Sequence, residues 1–313
     1  MSGGPLRPIS RGLEAFGPGK VILLGEHAVV YGHPALAVPL SLGIIARGVP
    51  DIRCRLELPP ELSAPQRRAL RQAFDRAAEA TGHPPVRITL TSTLPMSMGL
   101  GSSAALAVAV SRLLLRAAKW RSAPRDVLEL ALRMEEAFHG TPSGVDHTCS
   151  THARAILYRR AVEGRPGRVR WVRPGRKATL LLGLVGPRRG TQETVAALRA
   201  RQARWPDRYA RLFEAMGRLA VEGTRALEAG DLDSLGDAMN MNHGLLVAAG
   251  VSSPALDQAV AAFRRAGALG AKLTGAGGDG GAVVALFRRP PRQRSALARA
   301  GLTLFQSRLE GDR

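Results

Sequence analysis

The chain has 313 residues, 45% hydrophobic and 22% charged, the balance of a globular protein long enough for two packed domains. No apolar run is long enough to cross a bilayer, Met-Ser-Gly-Gly-Pro at the N-terminus is no secretory signal, and Cys54 and Cys149 are too few for a disulfide framework or structural zinc; a cytoplasmic protein is predicted. The formal net charge of +20 raises the idea of nucleic-acid binding, but aromatic residues are only 4% of the chain, its arginines are dispersed and no recognition motif is found.

Residues 1–16 are rich in Pro and Gly and read as a loose segment. Residues 19–24 read as a buried strand, running into Gly25-Glu-His-Ala-Val-Val-Tyr-Gly-His-Pro34. Strand-like apolar stretches follow at 35–38 and 44–58. The spacing predicts a helix over 65–81, with Leu70, Phe74, Ala77 and Ala78 on one face. Residues 86–90 alternate as a strand and lead to Pro95-Met-Ser-Met-Gly-Leu-Gly-Ser-Ser-Ala-Ala-Leu106. There Gly99 and Gly101 permit a tight turn, and Ser102 or Ser103 is placed to cap the alanine-rich helix that follows. Pro124 opens another helix whose core face is Val127, Leu130, Ala131, Met134 and Phe138. Gly140 and Pro142 stop it, and the loop over 141–147 comes next.

Strands are expected at 153–158, 169–172 and 178–185. The Pro, Gly and charge of 173–177 interrupt the apolar pattern and mark the predicted domain boundary, giving domains 1–175 and 176–313. Helices are expected at 191–204, 208–229, 231–249 (Asp231 as N-cap) and 253–266. The last expected strands, 270–273 and 282–287, flank Thr274-Gly-Ala-Gly-Gly-Asp-Gly-Gly281.

Three glycine-rich stretches carry the chemistry. A glycine turn at a helix N-terminus offers unpaired N–H groups and a partial positive charge, which suits phosphate. The first stretch places Lys20 at the start of a strand and Glu26 and His27 just past its end, a set suited to a small hydroxylated acid and to proton traffic. Tyr31 and His33 are read as residues that pack or cap. The third, with five glycines in the seven residues from Gly275, implies close backbone approach in a nucleotide or substrate cleft. Only four of the 45 cations are lysines, Lys20, Lys119, Lys177 and Lys272. Where arginine is the default, a retained lysine suggests a need for a compact ammonium. Glu135 and Asp146 are the carboxylates available for a metal and for an attacking hydroxyl, as phosphoryl transfer requires. Spacing alone leaves Glu135 open to being a solvated helix residue like Glu136.

These residues resemble the GHMP small-molecule kinases, and within them the branch acting on mevalonate. Pro18-Gly-Lys-Val-Ile-Leu-Leu-Gly-Glu-His-Ala-Val-Val-Tyr-Gly32 is similar to that branch's first motif, residues 95–105 to the phosphate loop, Pro142-Ser-Gly-Val-Asp146 to the catalytic loop and Lys272-Leu-Thr-Gly-Ala-Gly-Gly278 to the third motif. Met241-Asn-His-Gly-Leu-Leu through Asp257 also matches. The resemblance implies an α/β (α+β) two-domain fold, with a ribosomal-protein-like N-terminal domain and a ferredoxin-like C-terminal domain. It implies ATP and mevalonate as substrates, with Mg²⁺ as cofactor and neither nucleic acid nor membrane as partner; it allows a homodimer. Asp146 would be the catalytic base and Lys20 the cation at the migrating phosphoryl group. Ser92, Ser97, Met98, Gly99, Leu100, Gly101, Ser102 and Ser103 would hold ATP, with Ser103 and Glu135 on the metal. Glu26, His27, Ser143, Thr191, Gly275 and Ala276 would line the acceptor pocket. The rivals are a sibling kinase for phosphomevalonate, homoserine or a sugar, and a catalytically dead relative. The Glu26-His27 turn argues against the siblings, and the presence of Lys20, Ser103, Glu135 and Asp146 against loss of activity. Asp279 stands where the pattern has glycine, and is expected to turn from the phosphates and cap an amide or meet a cation.

Overall fold

The structure is a computed structural model and describes residues 12–58, 60, 62–95, 98–139, 144–164, 166–186 and 191–310, with the backbone alone at 137–139 and 191. The chain forms two compact units, one of Met1–Gly19, Leu42–Pro95 and Gly101–Ala153, the other of Lys20–Ser41, Met96–Leu100 and Arg154–Arg313. It passes from one to the other within β1 (Leu13–Leu24) and within β2 (Ala35–Pro50). The break at 173–177 lies inside the second unit.

In the first unit, β4 (Val86–Ser92) runs antiparallel to the second half of β2, from Ile44 opposite Ser92 to Pro50 opposite Val86. On its other edge it takes the short parallel β3 (Arg55–Leu56). Helices α1 (Ala64–Ala80), α2 (Ser102–Ala117), α3 (Pro124–His139) and α4 (Val145–His152) complete this unit. A capping box starts α1: Ser63 Oγ accepts from the Gln66 N–H, and Gln66 Oε1 accepts from the Ser63 N–H at 2.9 Å. Helix α2 is buried almost all round, so its alanines are a packing requirement as well as a helix preference. A Cβ on Gly17 would lie 1.9 Å from the Ala105 carbonyl oxygen, so β1 and α2 touch backbone to backbone there. Neither Ser102 nor Ser103 caps α2. The N-cap is Gly101 at φ 74°, because the chain enters the helix through a left-handed turn that glycine accommodates, leaving Ser102 as the first helical residue.

The second unit is built on β7 (Ala178–Val185), β8 (Gly270–Thr274), β9 (Gly281–Phe287) and β10 (Thr303–Leu309), antiparallel in the order β10-β7-β9-β8. Counted from β7 this is 4-1-3-2, the ferredoxin-like arrangement. Every residue of β8 and β9 is buried, which explains the unbroken apolar run of β9, while β8 buries Lys272 and Thr274 among its apolar residues. Helices α5 (Thr191–Arg204), α6 (Pro206–Ala229), α7 (Leu232–Ala248), α8 (Pro254–Arg265) and α9 (Arg294–Arg299) belong to this unit. In it also, β5 (Ala155–Arg159) pairs with the start of β2 and with β6 (Arg168–Val172). Asp231 caps α7 as expected, accepting from the Ser234 N–H at 3.0 Å. The core gathers Phe213, Met216, Phe263, Leu181 and Val283. Tyr31 stacks on Phe213 with centroids 4.4 Å apart and so packs, as its sequence context suggested.

The sequence pattern missed several pieces. Strand β1 begins at Leu13, inside the segment read as loose, because it pairs with β2 despite its Pro and Gly. Residues 145–152 form α4 where a loop was expected to end, β2 is one strand of 16 residues that stops at Pro50, short of the expected 58, and α9 and β10 follow the last predicted strand. The predicted core position Phe138 falls outside the described side chains.

Two predictions come from the second unit. Helix α7 lies on β8 through a glycine pair: a Cβ on Gly270 would sit 2.2 Å from the Gly236 carbonyl oxygen. Because the obstacle is backbone, Gly270→Ala should destabilise the protein by about 1–3 kcal/mol, read as a lower denaturation midpoint. The second concerns His243 on α7, whose Nε2 lies 3.2 Å from Asp257 Oδ1 on α8. Burial foremost, helped by the charges of Lys272 and Arg264 and opposed by Asp257, holds its pKa down at about 4 against an ordinary 6.5. The folded state then binds fewer protons than the unfolded chain between these values. The His243 contribution should therefore be present above pH 6.5 and lost as pH falls toward 4. Denaturant titrations over that window should show a stability slope that is shallower in His243→Gln.

Candidate active site

The first unit carries the carboxylates. Glu135 lies on α3 and is only 3% exposed, while its neighbour Glu136 is exposed, so the helix turns Glu135 inward. Its Oε2 meets Nε2 of the buried His147 on α4. Asp146, the residue before His147, sits half-buried in the first turn of α4, a helix entered through Gly144 at φ 85°. Thr148 Oγ1 donates to the Gly144 carbonyl at 2.7 Å and tightens that turn. One short helix thus fixes Asp146 and, through His147, reaches Glu135. Ser102 is buried and Ser103 half-buried at the start of α2, whose first N–H groups form an anion-binding end. Ser92 closes a local turn at the end of β4, donating to the Leu94 carbonyl at 2.7 Å.

A hydroxyl and a carboxylate are the hard oxygen donors that Mg²⁺ takes alongside phosphates and water, so Ser103 and Glu135 fit that ion by chemistry. The His147 contact is the kind of outer partner that orients a ligating carboxylate. Among the described residues no three His, Cys, Asp or Glu side chains cluster as a metal cage, and a phosphate-bound ion needs none.

The second unit carries the first and third motifs, interlocked. Glu26 is 1% exposed, with Oε1 against the Lys272 ammonium and Oε2 accepting from Asn242 Nδ2 at 3.1 Å. Lys272 is fully buried and also donates to the carbonyls of Leu273 at 2.7 Å and Ile22 at 3.5 Å. Burial pushes its pKa down, against the pull of Glu26. Thr274 Oγ1 donates to the Ile22 carbonyl at 3.1 Å and accepts from the Ile22 N–H at 3.3 Å. His27 has φ 60° and ψ −48°, with the Ala28 N–H bonded to the Glu26 carbonyl at 2.6 Å: a γ-turn of the strained kind. Its Nε2 lies 3.2 Å from the Ala276 carbonyl. Lys20, 3% exposed, donates from Nζ to the Gly99 carbonyl at 3.4 Å and from its backbone N–H to Leu100. A Cβ on Gly275 would lie 3.3 Å from Gly99 Cα, so the third loop rests on the turn at Gly99, backbone on backbone.

Of the predicted residues, Lys20, Glu26, His27, Gly99, Leu100, Gly275 and Ala276 are thus drawn together in the second unit. In the first, the His147 link ties the element of Glu135 to that of Asp146. Met98 is half-buried. Ser97, Ser143 and the side chain of Thr191 lie outside the described residues. Asp279 is exposed, and among the described residues its carboxylate makes no hydrogen bond or ion pair, so the expected cap or cation is not there; water screens it instead. Sequence reasoning missed His147, Asn242 and Thr274, side chains inside motifs whose glycines, lysines and carboxylates drew the attention.

Comparison with known proteins bears on these elements. The model of the GHMP kinases N terminal domain matches residues 68–154, and that of the GHMP kinases C terminal region residues 224–303. The chain is 32% identical to a mevalonate kinase of Pyrococcus horikoshii, over 90% of this chain and 89% of that one. It is 34% identical to a mevalonate kinase of Thermococcus sibiricus, over 91% of each. The crystal structure of L. major mevalonate kinase in complex with R-mevalonate superposes with a TM-score of 0.85 at 27% identity, covering 98% of this chain and 99% of that one. One family match spans α2, α3 and α4 with Ser103, Glu135 and Asp146, the other α7, α8 and β8 with Asn242 and Lys272, and the chain belongs to the GHMP kinase family.

Proposed function

We propose that this chain is an ATP-dependent kinase that moves the γ-phosphoryl group of ATP to the 5-hydroxyl of mevalonate, giving 5-phosphomevalonate. The observation that carries the reading is the tied Glu26-His27 turn in a chain so similar to mevalonate kinases along most of its length. The turn that faces the acceptor varies between kinases of different substrates, and here it has the residues of the mevalonate branch. On this reading the amides of residues 98–103 and the start of α2 bind the phosphates of ATP. Asp146 accepts the proton of the attacking hydroxyl, or orients it, from a fixed place on α4. Lys20 balances charge that builds on the migrating group. Ser103 and Glu135 would hold Mg²⁺, which supplies charge neutralisation at the phosphates when bound. Ser92 and Ser97 belong to the nucleotide side, and Ser143, Thr191, Gly275 and Ala276 to the acceptor side. The cationic surface aids capture of two anionic substrates.

The test is an ATP-dependent phosphorylation screen with mevalonate, phosphomevalonate, homoserine and galactose side by side. Mevalonate should give the highest kcat/KM; a higher value for any other acceptor overturns the assignment. Asp146→Asn should lower kcat by orders of magnitude and leave ATP affinity nearly intact, because the lost role lies in the transition state. Glu135→Gln should lower turnover and raise the Mg²⁺ concentration needed for half-maximal rate. A near-normal kcat in Asp146→Asn would move the base elsewhere.

A further inference from the structure

Glu26 is the residue of the acceptor turn with the most chemical promise and the least access. It is 1% exposed and both of its oxygens are taken, one by Lys272 and one by Asn242. His27, next to it, is half-exposed. We propose that Lys272 and Asn242 are positioning residues that act through Glu26: they clamp its carboxylate so that the turn holds His27 toward the acceptor, and Glu26 itself does not touch the acceptor. The inference rests on the kinase reading above and deepens it.

Three observations converge on this clamp. First, the Lys272 ammonium is matched to its surroundings. Its three donors meet three acceptors, Glu26 Oε1 and the carbonyls of Ile22 and Leu273. A guanidinium could not fill that space, which accounts for a lysine in a chain whose cations are almost all arginine. Second, His27 occupies a backbone conformation that L-residues rarely adopt and that reverts unless its neighbours over-determine it. The residue before it is pinned by its side chain, the one after it by the Ala28 N–H bond to the Glu26 carbonyl, and the ring by Ala276. Third, the acceptor is itself a carboxylic acid. A bare Glu26 carboxylate would repel it, whereas one neutralised by Lys272 leaves Lys20 to set the local sign. The charge of Lys20 is felt at Lys272, so these groups share one electrostatic neighbourhood.

The experiment is a set of variants, Lys272→Met, Asn242→Leu, Glu26→Gln and Lys272→Met/Glu26→Gln, each measured for kcat and for KM toward both substrates, with thermal denaturation alongside. Lys272→Met should raise the KM for mevalonate at least tenfold and leave the KM for ATP within threefold. Asn242→Leu, which removes one bond and no charge, should shift the same constant in the same direction by a smaller factor. Glu26→Gln should cost much less on the Lys272→Met background than in the parent, since the two act through one another. A merely structural clamp would lower the active fraction, so kcat would drop with both KM values unchanged; that result overturns the proposal. So does an equal rise in both KM values, or independent effects in the double variant. Should Lys272→Met fail to fold, the neutral double variant and Asn242→Leu carry the same test, because neither leaves a buried charge unpaired. If the parent prefers another acceptor, the functional reading fails, and the KM split measured with that acceptor still decides the clamp.

Discussion

The ammonium of Lys272 and the carboxylate of Glu26 meet where water does not reach, and the second unit is tied together around that meeting. A buried ion pair is a poor source of net stability, since desolvating two charges offsets most of their attraction. Removing one partner is another matter: it strands the other charge, at a cost of about 3–5 kcal/mol. Such a pair therefore acts as a constraint. It brings the end of β1 to β8, and Thr274 repeats the tie by bonding both backbone groups of Ile22. The strain of the His27 turn, of order 1–3 kcal/mol, is within reach of two charge-assisted bonds at about 1.5–3 kcal/mol each. The geometry holds because what anchors it is stiffer than what strains it.

The glycines divide into two kinds of work. Gly99 and Gly101 have positive φ and let the chain turn into α2, which is the use expected of a phosphate loop. Gly277, in the third motif, has a different duty. A Cβ there would lie 1.9 Å from the Val251 carbonyl oxygen, and the next residue, Gly278, donates its N–H to that same oxygen at 3.0 Å. So part of the third loop is glycine-rich because it leans on the turn between α7 and α8, not because a ligand must approach. That turn is held by Ser252 Oγ, which donates to Asp257 Oδ1 at 2.5 Å, the oxygen that also meets His243. The support runs from α8 through Val251 to the loop that carries Ala276 and so to His27.

Much of this was legible in the sequence, and what was not has physical reasons. Helix α3 could be read from its apolar spacing because one face is buried and the other wet. Helix α4 could not: it has eight residues, and all but two of its side chains are buried, so no period stands out. The passage between units was not legible because it occurs inside β1 and β2: the strands run on through Gly17-Pro18-Gly19-Lys20 and from Pro39 to Gly43, so the residue types that suggested a break at 173–177 mark no interruption of the strand here. Among site residues, composition was the better guide than spacing. The lysines inside glycine stretches, Lys20 and Lys272, are buried, while Lys119 and Lys177 are exposed. Asn242 gave no such signal, because an amide buried for one bond to a carboxylate looks like any polar helix residue.

The arginines complete the division of labour. Several of them spend their guanidinium groups on backbone carbonyls rather than on solvent. Arg112 reaches Thr151 at 2.6 Å and also Phe16, Arg116 reaches Glu14 at 2.7 Å, and Arg67 reaches Leu62 at 2.9 Å and Pro60 at 2.5 Å. Arg201 takes the carbonyls of Ala249 and Gly250 at the end of α7, the place where a helix leaves acceptors unpaired and favours a cation. Others pair with carboxylates, as Arg170 does with Glu228 at 2.6 Å. A planar fork with five donors suits these carbonyl edges better than an ammonium does. A nucleic-acid footprint would instead need guanidiniums gathered on one face and uncommitted, ready to replace counterions along a phosphate backbone. These residues are held by the protein's own carbonyls and carboxylates, so the +20 charge counts in part as architecture. What it leaves over is positive charge of the kind that draws small anions toward a protein.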